Sequence, residues 1–388
     1  MQRINKDQEA LEVIARLDER VNLEQTDVDG KDTIIIHEGY GSRHLFAIEK
    51  FVRAIEKGWD GFVEERTRYS GLTRIRELFL GKRYYHHVNG WISRYSDRYY
   101  YSARVEVFYE VCKELGLLGA YPFAFGAPGE LARPDGTRCM DLFNLLIQQI
   151  RIRCQSRVFK ERERLRCAGA KRNERNVLAL EEEMFSEDEG RSRWLVHSLT
   201  LRYKPQYRRW ITPEMVQEHR DKFFKARRFN TLMAGIGNYV WAIEQSEKTG
   251  LHLHVILFYS SNSNHDEFIA KQIGEYWVNV VTERKGAYWN SNQGWLKKRY
   301  EKRGHGVGVG QINWNDEKRE ALRKNLVYLA KSEQYLMARE TEHIHTFGMG
   351  QVPEKVKSGR PRVEADASNP SGNPVGVESF GGTQADGM

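Results

Sequence analysis

The apolar residues of this chain change period near residue 190, and that switch limits what it can fold into. Before it, Leu45, Phe46, Ile48, Phe51, Val52 and Ile55 recur at i, i+3, i+4 and i+7, which predicts a helix closed by Gly58. Val107, Phe108, Val111, Cys112 and Leu115 repeat the pattern ahead of Gly116. Met140 to Ile150 begins a third helix, expected to run on through Arg151–Arg175, where ten Lys/Arg stand against three Glu. The rings of Tyr84-Tyr85 and Tyr99-Tyr100-Tyr101 read chiefly as packing residues. An acidic linker is expected over Glu181-Glu-Glu and Glu187-Asp-Glu.

Beyond it, Trp194 to Tyr203 alternates as a half-buried strand does, and Thr212 stands as an N-cap before Pro213, opening a helix to Phe229. Strand-like runs Tyr239–Gln245 and Leu251–Tyr259 flank Ser-Glu-Lys-Thr-Gly, a hairpin-loop sequence. A helix from Asp266 to Arg284, a short strand within Val307–Trp314 and a long helix from Asp316 to Arg339 complete the order β-α-β-β-α-β-α. That order predicts an α+β fold with a central antiparallel sheet, preceded by a helical domain. The expected domains are residues 1–185, 190–350 and a Gly/Pro/Ser/Asn-rich flexible tail, 351–388.

Among 388 residues, 61 Lys/Arg against 53 Asp/Glu give a formal charge of +8, weak grounds alone for a polyanionic partner. No apolar run approaches the roughly 18 residues of a membrane span, and the N-terminus lacks a secretory signal, so a cytoplasmic location without membrane is expected. Four cysteines without a C-x-x-C pair read as reduced thiols.

The chemistry centres on Leu251-His-Leu-His-Val255. In a strand, His252 and His254 share one face while Leu251, Leu253, Val255 and Leu257 fill the other. If the flanking strands pair symmetrically about Lys248, Glu244 falls opposite His252 and on its face. Two imidazoles and a carboxylate make a three-ligand set suited to Mg²⁺ or Mn²⁺. A second His-x-His, His343-Ile-His345, has Tyr335 where a carboxylate would be needed. On the last helix, Tyr328 and Lys331 are neighbours three apart. A tyrosine hydroxyl can attack a phosphodiester while an ammonium holds the scissile phosphate, and Tyr335, two turns on, is a possible second tyrosine.

Together these residues resemble the HUH (histidine–hydrophobic–histidine) endonucleases. The order is Ser198-Leu-Thr-Leu201, then His252-Leu-His254 with Glu244, then Tyr328-Leu-Ala-Lys331. Residues 190 to 362 are most similar to the inovirus gene-2 product and YagK/YfjJ-like family of phage and prophage proteins. Tyr239-Val-Trp-Ala-Ile-Glu244, Leu251 to Val255, Tyr328 to Tyr335 and His345-Thr-Phe-Gly348 carry that resemblance. It implies an HUH endonuclease domain with an RRM-like palm. It also implies rolling-circle replication initiation by metal-dependent nicking of single-stranded origin DNA, with a 5′-phosphotyrosine intermediate, in a bacterial host. The tyrosine follows the histidines, as in replication initiators and single-tyrosine transposases. Double-tyrosine enzymes space their pair one turn apart, so Tyr328 is the expected single nucleophile.

No G-x-x-x-x-G-K-[ST] occurs, so unwinding and synthesis would fall to a host helicase and polymerase. Candidate DNA contacts are Lys297, Lys298, Arg299 and Arg303 beside the glycine-rich run to Gly310, with Arg360 and Arg362 in Lys357-Ser-Gly-Arg-Pro-Arg, which resembles minor-groove hooks. A single-tyrosine transposase, or a non-catalytic DNA- or RNA-binding regulator on the same fold, are the alternatives.

Overall fold

The computed structural model describes residues 23–28, 31–36, 43–66, 73–186, 193–246, 250–260, 264–302, 306–331, 336–338 and 343–352. Tyr335, Arg303, Arg360 and Arg362 lie outside the described residues, as do residues 353–388 of the expected tail and the hairpin loop at 247–249.

The first half is built from helices α1 (Arg43–Glu56), α2 (Phe79–Ile92), α3 (Ala103–Glu114), α4 (Cys139–Gln155) and α5 (Arg157–Met184). Small antiparallel pairs β1 (Leu23–Val28) with β2 (Lys31–Ile36), and β3 (Phe62–Arg66) with β4 (Thr73–Glu77), accompany them, together with β5 (Tyr99–Tyr101). The i, i+3, i+4 residues of α1 and α3 converge with Leu142, Phe143, Leu146 and Ile150 in one core. Tyr84 and Tyr85 are buried in it, the packing use expected of them. Cys112, Cys139 and Cys154 are buried free thiols.

The single long helix expected from Met140 onward is two. Ser156 adopts an extended conformation (φ −65°, ψ 151°), and its hydroxyl accepts from the Phe159 amide, capping α5. A serine that caps a new helix can break an old one without proline or glycine. Part of the basic run is tied internally: Arg151 pairs with Asp60, Arg153 with Glu114, Arg162 with Glu106 and Arg164 with Glu161. Glu181-Glu-Glu is not a linker but the last turn of α5, and Glu187-Asp-Glu lies outside the described residues.

The second half holds β6 (Arg193–Tyr203), α6 (Pro213–Lys225), β7 (Ile236–Ser246), β8 (Gly250–Tyr259), α7 (Asp266–Tyr276) and β9 (Gly286–Asn290). After these come α8 (Gly294–Lys302), β10 (Gly310–Asn313), α9 (Lys318–Lys331), β11 (Leu336–Ala338) and β12 (Phe347–Met349). Thr212 caps α6 as expected, accepting from the Met215 amide, with Pro213 in its first turn. The six-stranded antiparallel sheet runs β10-β6-β8-β7-β12, with β9 paired to the other half of β6. The mixed α+β fold and its central antiparallel sheet are those expected.

β6 is buried on both faces rather than one. On one face Leu199, Leu201, Tyr203, Leu253, Val255 and Leu257 pack with Val216 and Phe223 of α6 and Ile273 of α7. On the other, Val196, Val240, Ile256 and Phe258 pack with Val177, Leu180 and Met184 of α5 and Leu322 and Leu326 of α9. Two helical layers thus cover a central sheet, and α9 lies on the histidine side. The helix expected through Arg339 is described as far as Lys331, and Leu336–Ala338 is instead a strand, β11, paired with Tyr99–Tyr101. Among the described residues, no helix is long and apolar enough to cross a membrane.

Candidate metal centre

The β7–β8 hairpin sets the site. Its register pairs Glu244 with His252 and Ala242 with His254, the alignment expected from symmetry about Lys248. Gly250, at φ +66°, lets the chain enter β8 in the left-handed region that a side chain disfavours. Alternation then sends Leu251, Leu253, Val255 and Leu257 into the α6–α7 core and the two imidazoles toward α9.

Glu244 Oε2 lies 3.3 Å from His254 Nε2 and 3.8 Å from His252 Nε2. One ligand atom from each of the three residues falls within 4.8 Å of the others. The second ring nitrogens are engaged behind them. His252 Nδ1 is 2.9 Å from the Gly250 carbonyl, which only accepts, so Nδ1 carries the proton and Nε2 presents a lone pair. His254 Nδ1 is 3.1 Å from Thr200 Oγ1, its cross-strand neighbour on β6. Such outer partners fix ring orientation and tautomer, as around metal-bound histidines.

Among the described residues, His252 Nε2, His254 Nε2 and Glu244 Oε1 are buried atoms without a hydrogen-bond partner. Three orphaned polar atoms in one place cost several kcal/mol unless something engages them, on the order of 1–3 kcal/mol each. A divalent cation satisfies all three at once, so the donor set fits a metal. Burial alone would raise the Glu244 carboxyl, but the His254 and His252 imidazoles outweigh it and hold it well below the carboxylate range. Burial pushes the His252 imidazole down. Burial favours the neutral His252 ring, the form that ligates a metal beside an ionised carboxylate.

Tyr328, in the last turn of α9 rather than mid-helix, donates its hydroxyl to Glu244 Oε2 at 3.3 Å. Beside it a cavity opens between β6, β8 and α9, lined by Ser198, Thr200, His254, Ser291, Asn325 and Tyr328 among others. Lys331, one turn on, reaches Glu174 of α5 at 2.8 Å. Gly308 of the glycine-rich run is placed by packing: a Cβ there would sit 2.6 Å from the α9 backbone at Ala321 and Leu322. Lys297, Lys298 and Arg299 lie on α8, not on a loop, and Lys297 Nζ is taken by Asp266 at 2.6 Å. His343 of the second pair contacts Glu214 at the surface, and no third ligand joins it among the described residues.

Sequence reasoning missed Thr200 as a partner of His254, although its place within Ser198–Leu201 on a neighbouring strand was the available signal. It also missed the buried Glu181, which holds Arg319 at 2.7 Å and Arg323 at 2.8 Å and so fastens α9 to α5.

Residues 206–350 match the YagK/YfjJ C-terminal domain family, a span containing Glu244, both histidines and Tyr328. No curated protein and no solved structure matches the chain.

Proposed function

We propose that the protein is a metal-dependent nickase of single-stranded origin DNA that starts rolling-circle replication of a filamentous phage, prophage or related element. The observation that carries this reading is the Tyr328 hydroxyl on Glu244, inside a cluster of orphaned ligand atoms. Packing alone explains neither feature. A tyrosine buried among apolar residues of α9 and the sheet needs no partner carboxylate flanked by two imidazoles.

Glu244, His252 and His254 would hold Mg²⁺ or Mn²⁺. When bound, the ion supplies charge stabilisation to a phosphodiester oxygen. The chain's residues do the rest. Packing of α9 against α5 and the sheet holds the Tyr328 oxygen at the site, as attack geometry demands. Tyr328 Oη attacks phosphorus, the 3′ oxygen leaves with the bonding pair, and the strand is left as a 5′-phosphotyrosine and a free 3′-hydroxyl. The phenolic proton passes to solvent water and the departing 3′ oxygen takes one up from water, while the Glu244 carboxylate orients the Tyr328 hydroxyl by accepting its hydrogen bond. Lys331 would steady the phosphate after exchanging Glu174 for it.

The reading is tested by incubating the protein with single-stranded DNA carrying candidate origin sequence, with Mn²⁺ or with excess chelator. Cleavage that needs the metal supports it. Equal cleavage in chelator, or none with either origin strand, counts against it.

A further inference from the structure

On the sheet face opposite Glu244, the end of α6, the turn Ala226–Arg228 and β7 enclose an open groove lined by Arg220, Lys225, Arg227, Arg228, Tyr239 and Trp241 among others. Strand alternation puts Tyr239 and Trp241 on this face and Val240, Ala242 and Glu244 on the other. The groove is therefore separate from the candidate metal centre, though built on the same strand.

Its cations are arranged unequally. Arg220 lies 4.3 Å from the Trp241 ring centroid and pairs with Asp221 at 2.6 Å. Arg227 lies 5.0 Å from the Tyr239 centroid and donates to the Ile236 and Gly237 carbonyls at 2.8 and 2.9 Å. Carbonyls and a ring fix that guanidinium without removing its charge. Lys225 and Arg228 are exposed. Among the described residues, Asp221 is the carboxylate of this groove, and Arg220 already holds it. At the next position, Phe229 leaves 70% of its surface in water.

We propose that this groove binds the phosphodiester backbone of a single nucleic-acid strand, with Phe229 taking a base face. Lys225, Arg227 and Arg228 supply positive charge that no described side chain neutralises, and Arg227 is held in place before any ligand arrives. An exposed ring beside cations suits unstacked bases, which a duplex does not present.

The test is fluorescence anisotropy with a labelled mixed-sequence single strand of about 20 nucleotides, enough to span a site of this kind, in chelator so that metal and nicking play no part. Because Lys225 and Arg228 are exposed, Lys225→Gln/Arg228→Gln keeps the fold, and adding Arg227→Gln completes the set. The triple variant should weaken binding at least about tenfold at 0.1 M salt and flatten the log–log salt slope by about 2, from ~0.7 per cation. Phe229→Ala should weaken the single strand and spare a duplex of the same sequence. An unchanged Kd and salt slope in the double variant would overturn the proposal. Equal weakening of strand and duplex by Phe229→Ala would overturn its single-strand assignment. Failure of the nickase reading would leave these outcomes untouched.

Discussion

Glu244 faces His252 directly across the β7–β8 hairpin, and the same Oε2 that approaches both imidazoles receives the Tyr328 hydroxyl from α9. Two strands and one helix thus meet at one carboxylate oxygen. Removing it should undo the centre as a unit. Glu244→Gln keeps the shape and removes the charge, so Mn²⁺ affinity by titration calorimetry should fall at least about tenfold, as for loss of a supporting metal contact. His252→Ala should abolish nicking and leave duplex binding intact. Wild-type Mn²⁺ affinity in both variants would contradict a metal centre here.

Thr200 touches the centre through His254 Nδ1. Thr200→Val preserves the branched shape and removes the oxygen. Metal affinity should drop about 10- to 100-fold, while thermal stability moves little. An unaltered affinity would make Thr200 a packing residue alone.

Lys331 carries two expectations that one pair of variants separates. Lys331→Met should slow single-turnover cleavage by roughly 10- to 100-fold, a modest version of losing one donor to developing charge. Glu174→Gln, which frees Lys331, should leave the rate within a few-fold. If instead both variants cleave at the wild-type rate, Lys331 serves only to anchor α9 to α5.

His197 is wholly buried on β6, and among the described residues neither ring nitrogen has a hydrogen-bond partner. Burial, the largest influence, pushes its imidazole down to about 3, against about 6.5 in an unfolded chain. A depressed histidine leaves the unfolded state binding the extra proton, so its contribution is flat above pH ~6.5 and stability is lost as pH falls from there toward 3. The loss is about 1.4 kcal/mol per pH unit within that window. His197→Leu forfeits no hydrogen bond and should flatten the acid limb of a urea-denaturation series between pH 7 and 4. An unchanged acid limb would place the acid sensitivity elsewhere.

Local pattern carried much of the site. Strict alternation in Leu251–Tyr259 and a short polar loop were enough to align Glu244 with His252, because a hairpin's register follows from its turn. What escaped depended on distant partners. Ser332 to Arg339 has helix-favouring composition, yet Leu336–Ala338 joins Tyr99–Tyr101, more than 230 residues earlier, as a strand. Tertiary pairing overrides propensity there. Glu181 reads as one more acid in a charged stretch, and its partners Arg319, 138 residues on, and Arg323 make it a buried anchor. The alternation of β6 predicts a half-buried strand because it says nothing about a second helical layer. Lys297 became an internal partner of Asp266 once α8 turned it inward.

In the proposed reaction the Tyr328 oxygen attacks DNA. The most direct measurement is to trap the covalent adduct formed on single-stranded origin DNA with Mn²⁺, digest it, and map the nucleotide-bearing peptide by mass spectrometry. The adduct is expected on Tyr328, absent in Tyr328→Phe, which keeps the ring and its packing, and persisting in Tyr335→Phe. An adduct mapped to Tyr335, or one that survives in Tyr328→Phe, would contradict this assignment.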